Sequence, residues 1–225
     1  MKGSDEYMNI NKTLEEMRNS SKIQDWKAKG SLGEDAVFEI CAQRHEKCLL
    51  YNSYMYPYQT NREGIVYMGN IKYENNQFVE YTDSSTNDEI DILYITQFRV
   101  FVIEVKSYSA NRIDVYDHWV NRGNTPLDKS PVTQAEKHAR QLYHVIYDVI
   151  PDGKTEYIKP IVCFVDRCTL RDDRSNHFRN YLPVCTLNDL NKTLNKNSKP
   201  LEYCISLKDV ARKLKESATS IKKTL

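Results

Sequence analysis

A chain of 225 residues, 40% of them hydrophobic, with seven glycines and seven prolines, is long enough for one core of ordinary size carrying appended pieces. It contains no apolar run of about 18 residues, and its first stretch, MKGSDEYMNINKTLEEMRNSS, lacks the apolar segment of a signal peptide, so the expectation is a cytoplasmic protein with no membrane contact. A net charge of +1 excludes a globally basic nucleic-acid binder and leaves room for a basic cleft, because clustering of charge decides such binding.

Residues 1–28 form an N-terminal accessory piece, with a polar helix expected from about 12 to 29 and Leu14, Met17 and Trp26 as its few apolar anchors. The main body runs over 29–195. It opens with SLGEDAVFEICAQRHEKC, a helix in which Ser31 would be the N-cap, Glu34 the partner three residues on, and Ala36, Val37, Ile40 and Cys41 the buried stripe. CLLYNSYMY reads as a strand. Residues 57–88 carry turn signals around IVYMGNIKY and QFVEYT, which predicts an inserted, tyrosine-rich hairpin.

Beyond Glu89 the pattern turns strongly apolar. EIDILYIT and RVFVIEVK are two strands, RIDVYDHWV another, SPVTQAEKHARQLYHVIYDVI a helix opened by Ser130 and Pro131, and YIKPIVCFV a buried strand. DRCTLRDDRSNHFRN, with Arg167, Arg171, Arg174 and Arg179, is either a phosphate-contacting segment or a solvated loop. YLPVCT, a short helix near 187–194 and a basic helix from Ser206 within 196–225 complete the chain. The six cysteines form no C-x-x-C pair and several sit in apolar segments, which points to reduced buried thiols. Apolar central strands alternating with helices predict an α/β fold with a mixed central sheet flanked by helices, an inserted hairpin and terminal helices.

The stretch EIDILYITQFRVFVIEVK places charges where a sheet interior is expected. If its two strands form a hairpin, with either a two-residue loop at Gln97 and Phe98 or a four-residue loop from Thr96 to Arg99, paired residue numbers sum to 195 and Asp91 faces Glu104. Period two puts Lys106 on the same face, together with Leu93, Ile95, Val100 and Val102. A surface hairpin would make this an ordinary ion pair. In a buried one, each charge costs several kcal/mol unless compensated, and apolar residues would serve stability at least as well. Two carboxylates on one site also repel unless protonated or bridged, and hard oxygen ligands suit Mg²⁺ or Mn²⁺. Such a cation beside a lysine forms a site for phosphodiester hydrolysis, with Asp91, Glu104 and the carbonyl of Val105 as metal ligands.

Asp91, thirteen residues, then Glu104-Val105-Lys106 resembles the active-site signature of PD-(D/E)XK nucleases, with Ile90 in place of the proline. GSLGEDAV, NDEIDILYIT, RVFVIEVKSYSANRI, Trp119 and SPVTQAEKHARQL, in that order over roughly 29–165, resemble the NERD (nuclease-related) domain. The resemblance implies a restriction-endonuclease-like α/β/α core and a catalytic set of Glu34, Asp91, Glu104, Lys106 and Gln134. Two departures, the long 57–88 segment and Ser130 where asparagine is common, bear on substrate preference. From the residues alone, Glu34 is equally a capping-box partner of Ser31, and His138 is read as packed against the site rather than catalytic.

The expected function is a Mg²⁺-dependent (or Mn²⁺-dependent) deoxyribonuclease, endonuclease before exonuclease, acting in defence or DNA processing. DNA is the first expected partner and RNA the second, with a second copy of the chain or another protein in a larger complex beside them. The alternative is a nucleic-acid-binding or sensor and assembly module that keeps a vestigial site.

Overall fold

The computed structural model describes residues 26–44, 47–55, 59–60, 66–67, 71–74, 77–80, 89–108, 110–117, 119–127 and 129–221. The expected accessory helix lies outside them up to residue 25. Helix α1 (Trp26–Ala42) leads to strand β1 (Cys48–Met55). Two short antiparallel pairs, β2 (Gln59–Thr60) with β3 (Val66–Tyr67) and β4 (Ile71–Glu74) with β5 (Gln77–Glu80), fall in the expected insertion. Then come β6 (Glu89–Thr96), β7 (Val100–Lys106), β8 (Arg112–Val115), β9 (Val120–Arg122) and β10 (Thr125–Pro126). Helix α2 (Pro131–Ile146), β11 (Ile158–Phe164), β12 (Thr169–Asp172), α3 (Asn176–Tyr181), β13 (Val184–Thr186), α4 (Leu190–Asn197) and α5 (Leu207–Ile221) finish the chain.

The central sheet has five strands in the order β1-β6-β7-β11-β13. β6 runs antiparallel to both β1 and β7, while β7, β11 and β13 run parallel to one another. The hairpin register is Ile95↔Val100 through Ile92↔Ile103, the sum of 195 expected from the sequence. It closes at Thr96, whose N–H donates to the Arg99 carbonyl (2.8 Å) and whose hydroxyl accepts from the N–H groups of Phe98 and Arg99.

Period two in these strands feeds two cores. On one face, Ile92, Tyr94, Phe101 and Ile103 pack with Ala36, Val37 and Ile40 of α1 and with Leu190 and Leu194 of α4. On the other, Leu93, Ile95, Val100 and Val102 pack with Ala139, Leu142 and Val145 of α2 and with Val210 and Leu214 of α5. The result is the α/β/α sandwich that the apolar central strands predict. A second sheet, β10-β9-β8-β12, lays Ile113, Val115 and Val120 against Val132 and Ala135 of α2 and Phe164 of β11.

Three local expectations change. Helix α1 begins at Trp26 rather than at Ser31, because Trp26, Lys27, Ala28 and Lys29 are adequate helix formers and carry the helix through Gly30. Ser31 therefore stands inside the helix rather than at its N-cap. RIDVYDHWV is a hairpin, not one strand: Tyr116 N–H donates to Trp119 O (2.9 Å), and Val115 pairs with Val120 across the turn. DRCTLRDDRSNHFRN holds β12 and α3. Arg174 within it is buried and paired with Asp172 (2.7 Å), so it is not available to phosphate.

Gly33 shows how closely α1 approaches the sheet beside the charged hairpin. A Cβ there would lie 2.8 Å from Cγ2 of Val165 and 3.5 Å from Cγ1 of Val105. Val165 is β-branched and buried, so it has little freedom to yield. Gly33→Val is expected to destabilise the protein by about 2 kcal/mol, the scale of an overpacked core, as measured by urea unfolding. Unchanged stability would show that α1 sits farther from the sheet.

Candidate active site

The site forms where β6 and β7 part. A regular ladder would continue past Ile92↔Ile103; instead, the Val105 N–H donates to Oδ2 of Asp91 at 2.6 Å. The aspartate side chain thus takes a ladder donor and is held in place by it. Val105, Glu104 and Lys106 are the last residues of β7, and the strand is anchored behind them by Val165 N–H donating to Lys106 O (3.0 Å).

Glu104 is only 2% exposed. Its Oε1 meets Lys106 Nζ at 2.5 Å, and its Oε2 lies 3.1 Å from Nδ1 of His138 on α2. At that separation the pair is in electrostatic contact but poorly aligned for a hydrogen bond. His138 is itself buried, so it packs against the site from beneath, the role the helical stripe predicts. Gln134 stands one turn earlier on the same stripe and is half-buried; its N–H donates to Ser130 O (3.0 Å).

Electrostatics divide the two carboxylates. Burial alone would raise Glu104, but the His138 contact and the Lys106 charge outweigh it and hold Glu104 below the usual carboxylate range. Asp91 goes the other way. Burial first, and then the Glu104 charge, push it up to about 7, against the opposing pull of Lys106 and the Val105 N–H. Burial would lower Lys106, but Glu104 and Asp91 together raise it, so it stays an ammonium. At neutral pH the site holds one firm carboxylate, one firm cation and one carboxyl poised between its two states.

Glu34, on α1, enters this field. Burial and then the charge of Glu89 raise its pKa, with Asp35 and Glu104 adding to the rise and Lys106 opposing it. The structure therefore brings Glu34, Asp91, Glu104 and Lys106 into one electrostatic neighbourhood. Two further members were not anticipated. Glu89 lies two residues before Asp91 in β6, and the alternation E-x-D was the signal that could have revealed it. Tyr108 is raised by its burial and responds to Lys106 and Glu104; nothing in its sequence context marks it.

Among the described residues, no cluster of three or more His, Cys, Asp and Glu is arranged to hold a metal ion. The donors that converge are of another kind, the two carboxylates of Asp91 and Glu104 with the Val105 main chain beside them. Hard oxygens of this type suit Mg²⁺ or Mn²⁺, which retain several waters, and the Glu104 charge adds to burial in raising Asp91. In donor chemistry, though not as a completed ligand cluster, these residues suit such a cation.

A mixed α/β sheet whose central hairpin ends in an aspartate facing Glu-x-Lys defines a core of the PD-(D/E)XK nuclease superfamily. The family of the nuclease-related domain, NERD, matches residues 29–165, more than half of the chain, and the chain belongs to that family. Comparison with curated proteins and with solved structures gave no match.

The state of Asp91 sets a pH dependence of stability. Its carboxyl titrates near 3.8 in the unfolded chain and near 7 in the fold, so the stability it contributes when protonated is present below about pH 4 and lost as pH rises through 7. Asp91→Asn keeps an acceptor for the Val105 N–H and removes that loss. The metal-free variant is expected to exceed the parent in stability by a few kcal/mol at pH 8, since each tenfold difference in proton affinity between fold and unfolded chain is worth about 1.4 kcal/mol, and to converge with it near pH 4. Chemical denaturation at both pH values measures this; a variant no more stable at pH 8 would place Asp91 in an ordinary carboxylate environment.

Proposed function

We propose that this protein is a divalent-metal-dependent nuclease that hydrolyses phosphodiester bonds of DNA, as an endonuclease, in the cytoplasm, in defence or DNA processing. One observation carries the reading: Asp91, Glu104 and Lys106 occupy the end of a buried hairpin, where their charges cost stability that apolar residues would not. Membership of the nuclease-related family supports it.

Asp91, Glu104 and the Val105 carbonyl would hold Mg²⁺ or Mn²⁺. Bound there, the ion supplies Lewis-acid stabilisation of the scissile phosphate and a water of lowered pKa. The rest falls to the chain. His138 and Lys106 stand on the two sides of Glu104, which keeps it ionised. Lys106, one-fifth exposed, presents an ammonium that can hydrogen-bond the attacking water and offset charge developing on the phosphate oxygens. Glu34, whose pKa burial and the Glu89 charge raise, is assigned the role of proton acceptor from that water. Gln134 is assigned to orienting substrate or water from the α2 side. No described helix is long and apolar enough to cross a membrane.

Lys106→Ala separates catalysis from binding. Purified parent protein is expected to cut labelled DNA with Mg²⁺ or Mn²⁺ and not with EDTA, and the variant to cut at least about 100-fold more slowly, the scale of losing a preorganised electrostatic donor. DNA affinity should change little, since phosphate contacts are spread over many basic side chains. A variant that cuts as fast as the parent, or a parent that binds DNA and cuts it with neither metal, would replace the enzyme by a binding module.

A further inference from the structure

The parallel strands β7, β11 and β13 all end at one edge of the central sheet, the edge that carries Lys106. In such sheets the crevice beyond the carboxyl ends of the strands is where ligands bind. Between the chain leaving β11 and the chain leaving β13 lies an open cleft of about 330 Å³. Its floor is apolar, from Val165 and Leu187, both buried. Asn111, Asn188 and Arg167, all exposed, also line it. Asp166 joins the cavity to the catalytic hairpin: its Oδ2 accepts a 2.7 Å hydrogen bond from Ser107, the residue after Lys106.

We infer that this cavity is a nucleotide subsite, holding one base of the strand being cut while the scissile phosphate lies at Lys106. This rests on the nuclease reading and adds to it the form of the substrate. The volume lies at the small end of ligand pockets, enough for a single base and far too little for a base pair. The base must therefore leave the stack, so the strand is single or locally unpaired. Chemistry sets the orientation. The carboxylate of Asp166 disfavours a phosphate inside the cavity, whereas the apolar floor accepts the face of a ring and the two asparagine amides offer donor and acceptor groups to its edge. The exposed Arg167 suits the backbone phosphate of the same nucleotide. Strands stand about 4.8 Å apart, so one to two strand spacings separate Lys106 from the cavity, the reach of a nucleotide close to the cleaved bond.

The test uses the full-length isotope-labelled protein in EDTA, where binding is read without cleavage. Deoxynucleoside 5′-monophosphates, a single-stranded decanucleotide and the matching duplex are titrated, and amide shifts are followed by NMR. The expected result is saturable shifts at 165–168 and 186–188 with mononucleotides and, more tightly, with the single strand, but not with the duplex. Asn111→Ala with Asn188→Ala should weaken binding at least about fivefold, the effect of losing one or more hydrogen bonds, with an unchanged fold because both residues are exposed. Shifts confined to other surfaces, equal affinity in the double variant, or a duplex that binds the cavity as well as the single strand would overturn the inference. Mononucleotides that bind while the single strand does not would overturn it as well, leaving a pocket for a free nucleotide. Single-strand binding here by a protein that fails to cut DNA with either Mg²⁺ or Mn²⁺ would sink the nuclease reading alone; metal-dependent cutting without binding here would sink this inference alone.

Discussion

The pairing of Glu104 with Lys106 and His138 is the constraint around which this fold is arranged. A carboxylate this deeply buried survives as an anion only if its charge is compensated, and here Lys106 meets one oxygen while His138 stands 3.1 Å from the other. Lys106 reaches it from two residues along β7. His138 reaches it from α2, which ties the helix layer to the sheet at the charged end of the hairpin. Removing either partner would leave a buried charge without compensation.

Around that fixed point the site is asymmetric. Glu104 is stabilised as an anion and Asp91 is not, although they stand on adjacent strands. The difference lies in what each carboxylate touches: Glu104 meets a cation and a histidine, whereas Asp91 has one main-chain N–H and the repulsion of Glu104. A carboxyl near its midpoint at neutral pH is destabilising in an empty fold and useful in a site that accepts a cation. The splayed end of the ladder fits the same account, because Asp91 fills a backbone donor that a regular hairpin would have satisfied without it.

The hairpin was legible in the sequence because three local rules agreed. Period two, a short loop centred on Gln97 and Phe98, and apolar residues on both faces fixed the register that places Asp91 near Glu104, and the ordered motifs then identified the family. Helix boundaries were less legible. Ser31 with Glu34 has the form of a capping box, yet Trp26 to Gly30 continue the helix and override it. The turn at Tyr116 to Trp119 was hidden because apolar alternation runs through it, Val115 and Val120 pairing across it. Arg174 read as a surface cation because composition does not reveal that Asp172 folds back onto it. Glu34 and Glu89 meet only through the packing of α1 on β6, a long-range contact that no local pattern encodes.

On the proposed function, the two carboxylates at the end of this hairpin hold a divalent cation. Titration of the purified protein with Mn²⁺ at pH 7.5, followed by the loss of the free-ion signal in electron paramagnetic resonance, tests it most directly when run beside Asp91→Asn, a variant expected to remain folded. The account expects saturable binding at millimolar or lower Mn²⁺ in the parent and its loss in the variant. Absence of saturable binding in the parent, or equal binding by the folded variant, would contradict it.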